Sequence, residues 1–207
     1  MSDTVNSYNE QTTQPIRILQ WTHQIDNMLA SWCDHAKCFE WMHNKSYSYY
    51  YNISRIYIII INILTAISGI VNIILSNISD ISSQTGWIFG SLSILISAVN
   101  MIYDKLGYSV TAEIHHKLAS QWHIIKSKIE EMVILPLPAR TDCKSFIKYI
   151  KSDMNNATQL GASLIPSDIL NQCYNQFNNI SGFDVPDICG QVEHTITYSE
   201  TDALLTN

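Results

Sequence analysis

Two apolar runs dominate the pattern of the chain. Ile56 to Leu75 is twenty residues without a charge, and Gly86 to Tyr103 is eighteen more. At ~1.5 Å of rise per residue, each predicts a helix of roughly 30 Å, close to the hydrocarbon thickness of a bilayer. Only the ten residues SNISDISSQT separate them, so the two helices are expected to run antiparallel, side by side. The pattern predicts an all-α membrane protein built on a two-helix transmembrane hairpin at 55–104. The competing reading, two buried helices of a soluble core, requires two consecutive charge-free runs of this length in a chain of 207 residues, which is unusual.

The polar flanks carry helical spacing of a different kind. Pro15 suits the first turn of a helix, with Thr13 or Gln14 before it as a cap. Ile18, Trp21, Ile25, Met28 and Trp32 then alternate three and four apart, continuing to Phe39 and Met42. That is the seam of a helix packed on another helix, a coiled-coil-like arm over 16–54. Beyond the second run, Ile114, Leu118, Trp122, Ile125, Ile129 and Met132 mark one face of a helix. Gly107 is a weak point ahead of it, and Leu135-Pro136-Leu137-Pro138 is its stop. Thr141 is expected to cap the next helix, with Phe146, Ile147, Ile150 and Met154 as its apolar face and Gly161 as its stop. Pro166 opens a last short helix. These elements make a C-terminal helical arm over 105–177. The two arms are expected to pack on each other, Trp21, Ile25 and Trp32 against Ile114, Trp122 and Ile125. Residues 1–15 and 178–207 are polar and expected to be a disordered tail and a flexible tail.

Each apolar run has a stripe of small or polar residues. Asn62, Thr65, Gly69 and Asn72 line the first; Gly86, Gly90, Ser93, Ser97 and Asn100 line the second. In lipid such stripes face protein, because small residues permit close approach and amides need partners. Either the two stripes face each other within one hairpin, the reading preferred from the sequence, or they line a water-filled oligomeric pore. Ahead of the first run, Trp41, Tyr47, Tyr49, Tyr50, Tyr51 and Tyr57 form an aromatic belt, and with Arg55 and Lys105 they are expected at the membrane interface.

Charge sets the orientation. Lys37, Lys45 and Arg55 precede the first run, Lys105 and Lys117 follow the second, and the linker holds only Asp80. Both termini are therefore expected in the cytoplasm. Asn77-Ile78-Ser79 is a glycosylation sequon, but it sits too near the membrane to argue for use. No apolar signal peptide precedes the first run, which would serve as its own insertion signal. A mean hydropathy of +0.02 hides the hairpin between polar arms. The net charge of −6, with no basic cluster, speaks against a nucleic-acid partner.

Little in the chain suggests chemistry. Cys33, His35, Cys38 and His43 are metal-type residues, but an unbroken helix puts Cys33 and Cys38 on different faces. Glu113, His115, His116 and His123 do not form a zinc-protease motif and read as a helix surface. Five cysteines give no disulfide framework and are expected as free thiols in a cytosolic arm. Neither a catalytic set nor a metal or cofactor site is expected, so the chain is not read as an enzyme.

Four elements occur in order: H-x-K-S-x-x-Y at His43 to Tyr49, T-x-x-x-G at Thr65 to Gly69, H-x-x-A-x-x-W at His116 to Trp122, and Ile165-Pro166. Over about Trp32 to Phe177 the chain resembles the SLATT family, the SMODS- and SLOG-associating two-transmembrane effector domain. It resembles in particular the stand-alone versions encoded by large DNA viruses of eukaryotic hosts. The resemblance implies a membrane hairpin with cytoplasmic helical arms, in a SLATT-like domain over 16–177. Bacterial members are proposed to act as pore-forming or membrane-perturbing effectors in conflict systems that sense nucleotides. No sensor segment is read in the sequence, so a constitutive membrane role is expected to compete with a triggered one. The expected partners are a lipid bilayer, further copies of the chain in a homo-oligomer, and unknown proteins bound through the arms. The expected functions are an oligomeric pore-forming or membrane-perturbing effector, or a non-conducting scaffold protein of a membrane, viral or other.

Overall fold

The computed structural model describes residues 19–76 and 83–190, and among them the chain is all-α, with no strand. Helix α1 runs unbroken from His23 to Ser76, 54 residues. It contains no proline, and its single glycine is Gly69. With no breaker between them, the N-terminal arm and the first apolar run become one rod, about 80 Å long at 1.5 Å per residue. The rod begins at His23 rather than at Pro15. Thr22 lies just ahead of it, its hydroxyl accepting the backbone N–H of Ile25 at 3.4 Å. Thr13, Gln14, Pro15 and Ile18 lie outside the described residues, as do Asn77, Asp80 and both expected tails up to residue 18 and beyond residue 190.

Helix α2 (Ser83–Leu106) returns alongside α1, and α3 (Tyr108–Ile134) continues in nearly the same direction. The two are separated by Gly107 alone, whose φ of 62° is left-handed. A side chain at that φ is strained, so glycine permits the break. The weak point expected from the sequence is thus a one-residue interruption. Helix α3 stops at Ile134, ahead of Pro136. Helices α4 (Cys143–Gly161) and α5 (Ser167–Phe177) complete the bundle. The cap of α4 is Asp142, which accepts the N–H of Ser145 at 2.9 Å, and not Thr141. The backbone carbonyl of Thr141 instead accepts the indole N–H of Trp21 at 3.0 Å.

The core lies between α1 and α3, which run antiparallel. Leu29, Cys33, Ala36 and Met42 face Leu118, Trp122, Ile125 and Ile129, and Phe39 stacks on Trp122 with 4.5 Å between ring centres. The expected packing of the arms is present, although Trp21, Ile25, Trp32 and Ile114 are only half-buried at its margin. Each large side chain fully removed from water contributes about 1.5–3 kcal/mol, which is what holds a bundle of this size together. Phe146 and Ile150 of α4 and Ile169 and Cys173 of α5 close the core, with Ile147 and Met154 half-buried beside them.

The segment after α5 departs from expectation. Residues 178–190 were expected to be a flexible tail, yet they dock on the bundle. Phe183 stacks on Phe177 at 5.2 Å, Cys189 is buried, and Asp184 receives the Ser31 hydroxyl and lies 3.2 Å from His35 Nε2. Spaced apolar and acidic anchors in an otherwise polar stretch suffice for docking, and composition averages them away.

Candidate functional site

Past Arg55 the surface of the molecule changes character. Ile56, Ile59, Ile63, Ile67, Ile70 and Ile73 of α1 are exposed, as are Ile94, Leu95, Met101 and Ile102 of α2. Exposure reaches 66% at Ile73 and 72% at Ile94. Large apolar side chains exposed in such number along one pair of helices are what a soluble monomer ordinarily avoids. Among the described residues, α1 is the one helix long and apolar enough to cross a membrane. The second run sits in α2, which is shorter and broken up by Ser91, Ser93, Ser97 and Asn100.

The side chains that join α1 to α2 are not those of the expected stripes. The seam is the buried Ser54, Ile61 and Ser68 on α1, seven residues apart, against the buried Ile96 and half-buried Tyr103 on α2, also seven apart. The Ser54 hydroxyl meets the Tyr103 hydroxyl at 2.6 Å, and Tyr57 stacks on Tyr103 at 5.8 Å. A seven-residue period is the period of two helices wrapped on each other, and serine on the seam lets their backbones approach.

The stripes point elsewhere. Asn62, Thr65, Gly69, Asn72, Gly90, Ser93 and Ser97 are all exposed, and Asn100 is half-buried. A Cβ built at Gly69 or Gly90 would meet nothing within 4 Å. Two of the hydroxyls are satisfied within their own helices, Thr65 by the Ile61 carbonyl at 2.8 Å and Ser97 by the Ser93 carbonyl at 2.9 Å. The expectation that the two stripes face each other within one hairpin is therefore corrected. The surroundings of Gly86 lie outside the description.

The aromatic belt divides in two. Tyr49, Tyr51 and Tyr57 are exposed and Arg55 and Lys105 lie on the surface beside them. Tyr50 instead stacks on His115 at 5.5 Å and on Tyr108 at 6.1 Å, and Tyr47 packs against His116 at 5.0 Å. Trp41 belongs to the helical body. It meets Phe177 edge-on at 5.8 Å, under the Lys45 ammonium. Fifteen residues of helix separate it from Ile56, about 22 Å of rise. Trp41, expected at the interface, is placed by these contacts in the helical body.

Deep in the body, His43 of α1 and His115 of α3 are both 0% exposed, with their Nδ1 atoms 2.8 Å apart. One ring must donate and the other accept. The Nε2 atoms of both, the Ser46 hydroxyl and the Trp122 indole N–H have no well-formed hydrogen bond to protein among the described residues, although the Leu164 carbonyl lies near the His115 ring. Burial disfavours the charged forms, and the neighbouring His115 adds to the effect on His43, whose pKa falls to about 3. Burial lowers His115 as well. His115 was expected on a helix surface; it is instead in the core. The other metal-type residues go separate ways. His35 meets Asp184, Cys33 meets Glu130, and Cys38 lies with Cys173, Cys189 and Met42 in a sulfur-rich part of the core. All five cysteines are free thiols and buried.

At the far end of the body Arg140 is a clasp that the spacing of the sequence does not reveal. It is 7% exposed and donates to the Val133 and Leu135 carbonyls, each at 2.9 Å, where α3 ends. It also pairs with Asp26 of α1 at 2.5 Å and covers the Trp21 ring. Midway along, Glu40 accepts from Lys126 at 2.7 Å and His123 at 2.9 Å. Burial works to raise the Glu40 carboxyl, and these two donors outweigh it, so its pKa lies below the usual range. Comparison with protein-family models, with curated proteins and with solved structures finds no match to this chain.

Proposed function

We propose that the chain is an integral membrane protein whose α1–α2 hairpin spans the bilayer twice and assembles with further copies into a pore or membrane-perturbing module. Both termini then lie in the cytoplasm with the helical body. The observation that carries this reading is the outward direction of the polar stripes. Asn62 and Asn72 are exposed among isoleucines and take no part in the buried seam with α2. In hydrocarbon an amide without a partner is costly, so these groups require another chain or water. Two helices cannot enclose a channel; several copies, with the stripes turned inward, can. The resemblance to SLATT effectors supports the same assignment, and nothing among the described side chains favours an enzyme.

A second reading has its own support. Neither apolar run holds an aspartate, glutamate, lysine, arginine or histidine, and the large cytoplasmic body suits a non-conducting scaffold that organises a membrane through its arms. Flux from sealed liposomes separates the two, with insertion confirmed by resistance to alkaline extraction. Dye or ion release that depends on protein density, and that falls sharply in an Asn72→Leu/Asn100→Leu variant of unchanged insertion and oligomer size, supports the pore. An inserted wild type that releases nothing ends it in favour of the scaffold.

A further inference from the structure

A groove of about 640 Å³ opens between α1 and α3, where the apolar part of α1 begins. Its floor is greasy, made by Ile58 and Ile59 of α1 and Val110 of α3. Its rim is polar and carries Arg55, Ser109, Glu113 and Lys117. Two cations thus face one carboxylate, and the carboxylate is already engaged, since Lys117 pairs with Glu113 at 3.4 Å along the same helix. Arg55 leans over the Tyr51 ring at 5.9 Å and has no carboxylate within ion-pair distance among the described residues. The uncompensated charge of the rim is therefore the guanidinium, whose planar fork suits two oxygens of a phosphate.

We propose that this groove binds one anionic glycerophospholipid, its phosphodiester on Arg55 and the Ser109 hydroxyl and one acyl chain along Ile58, Ile59 and Val110. The two ends of the groove match the two ends of such a molecule, and the match holds only at the level where a bilayer changes from headgroups to hydrocarbon. The inference rests on the membrane reading above. A zwitterionic lipid fits less well, because its ammonium would need Glu113, which Lys117 holds.

The full-length protein, purified in mild detergent, is offered equal amounts of phosphatidylglycerol and phosphatidylcholine with the same acyl chains. Retained lipid is counted by native mass spectrometry. The wild type should keep phosphatidylglycerol about five-fold over phosphatidylcholine, the contribution of one cation near an anionic headgroup. Arg55→Gln should bring the ratio to parity. Val110→Trp, which fills the groove and leaves every charge in place, should also abolish the preference. Lys105→Gln, near the same level but outside the groove, should keep it. Parity in the wild type, a preference that survives both groove variants, or one equally lost in Lys105→Gln overturns the site. Alkaline extraction from membranes tests the underlying reading separately: a chain that resists extraction but shows no preference loses only the groove, and a chain that washes off loses both.

Discussion

Acidification should unfold the helical body through the His43–His115 pair. Both imidazoles are buried and neutral, and the groups packed around them supply no carboxylate: Phe39, Tyr50, Leu118 and Gly161 are their neighbours. In the unfolded chain each titrates near 6.5, whereas His43 in the fold titrates near 3. The unfolded state therefore binds more protons throughout that window, so stability is full above pH 6.5 and is lost as the pH falls toward 3. Each pH unit in that range removes ~1.4 kcal/mol from His43 alone, so a drop to pH 4.5 removes about 3 kcal/mol. For a body of this size that lowers the midpoint of thermal unfolding by about 6–12 °C. Trp122, close to the pair, reports the transition by fluorescence, measured between pH 7.5 and 4.5 at constant ionic strength. The double variant His43→Leu/His115→Leu removes both partners together and should flatten the profile between pH 6.5 and 4.5. The reasoning has a sharp opposite. If the 2.8 Å contact between the Nδ1 atoms held a shared proton, the pair would be stabilised by acid and the midpoint would rise as the pH falls. A rising or flat wild-type profile refutes the account of a neutral pair.

Other outcomes follow from single contacts. Gly161→Ala should cost ~1–3 kcal/mol in denaturation, because its Cβ would stand 2.8 Å from His43 Cε1 and nearer still to Leu118 Cδ1; an unchanged midpoint would mean that both neighbours give way freely. Arg140→Lys should cost ~1–3 kcal/mol by the same measurement, since one ammonium cannot serve Asp26 and two carbonyls as the fork does. With all five native thiols buried, a cysteine placed at Ser82 should react with an impermeant reagent from the outer side and one at Asn6 should not; the reverse pattern would invert the topology.

Much of the fold was legible because it rests on one-dimensional signals. The charge-free runs, the face from Ile114 to Met132, the stop at Pro136 and the helix start at Pro166 all reappear as helices or their ends. Fusion of arm and apolar run into one rod was also implicit, since His23 to Ser76 holds no proline and one glycine. The partner of each face was not legible. Spacing tells which residues share a side of a helix, and the two apolar helices each offer more than one plausible side. The polar stripes at Asn62–Asn72 and Gly90–Asn100 looked like the natural contact. The actual contact uses Ser54, Ile61 and Ser68, a side whose two serines carry little hydrophobic signal.

The buried histidines carry the same lesson further. On α1, Leu29, Ala36, His43 and Tyr50 recur every seven residues; on α3, Tyr108, His115, Trp122 and Ile129 do the same. These two rows face each other, and each continues past its histidine to a tyrosine, so that Tyr50 lies stacked between His115 and Tyr108. Ser54, Ile61 and Ser68 then keep a seven-residue step along the apolar part of α1. A period of seven over this length holds one side of a helix against its partner through slight supercoiling. The rod thus keeps a seven-residue step from the helical body into the apolar hairpin, in two rows offset by four residues: leucine, alanine, histidine and tyrosine in the first, and serine and isoleucine in the second. An alphabet of apolar residues alone loses the repeat at His43, because a histidine scores as polar wherever it sits. Read by position instead, His43 is seven residues from Ala36 and His115 seven from Trp122, and their burial follows from the register. Asn62, Thr65, Gly69 and Asn72 fall outside the row Ser54, Ile61 and Ser68 and stay exposed.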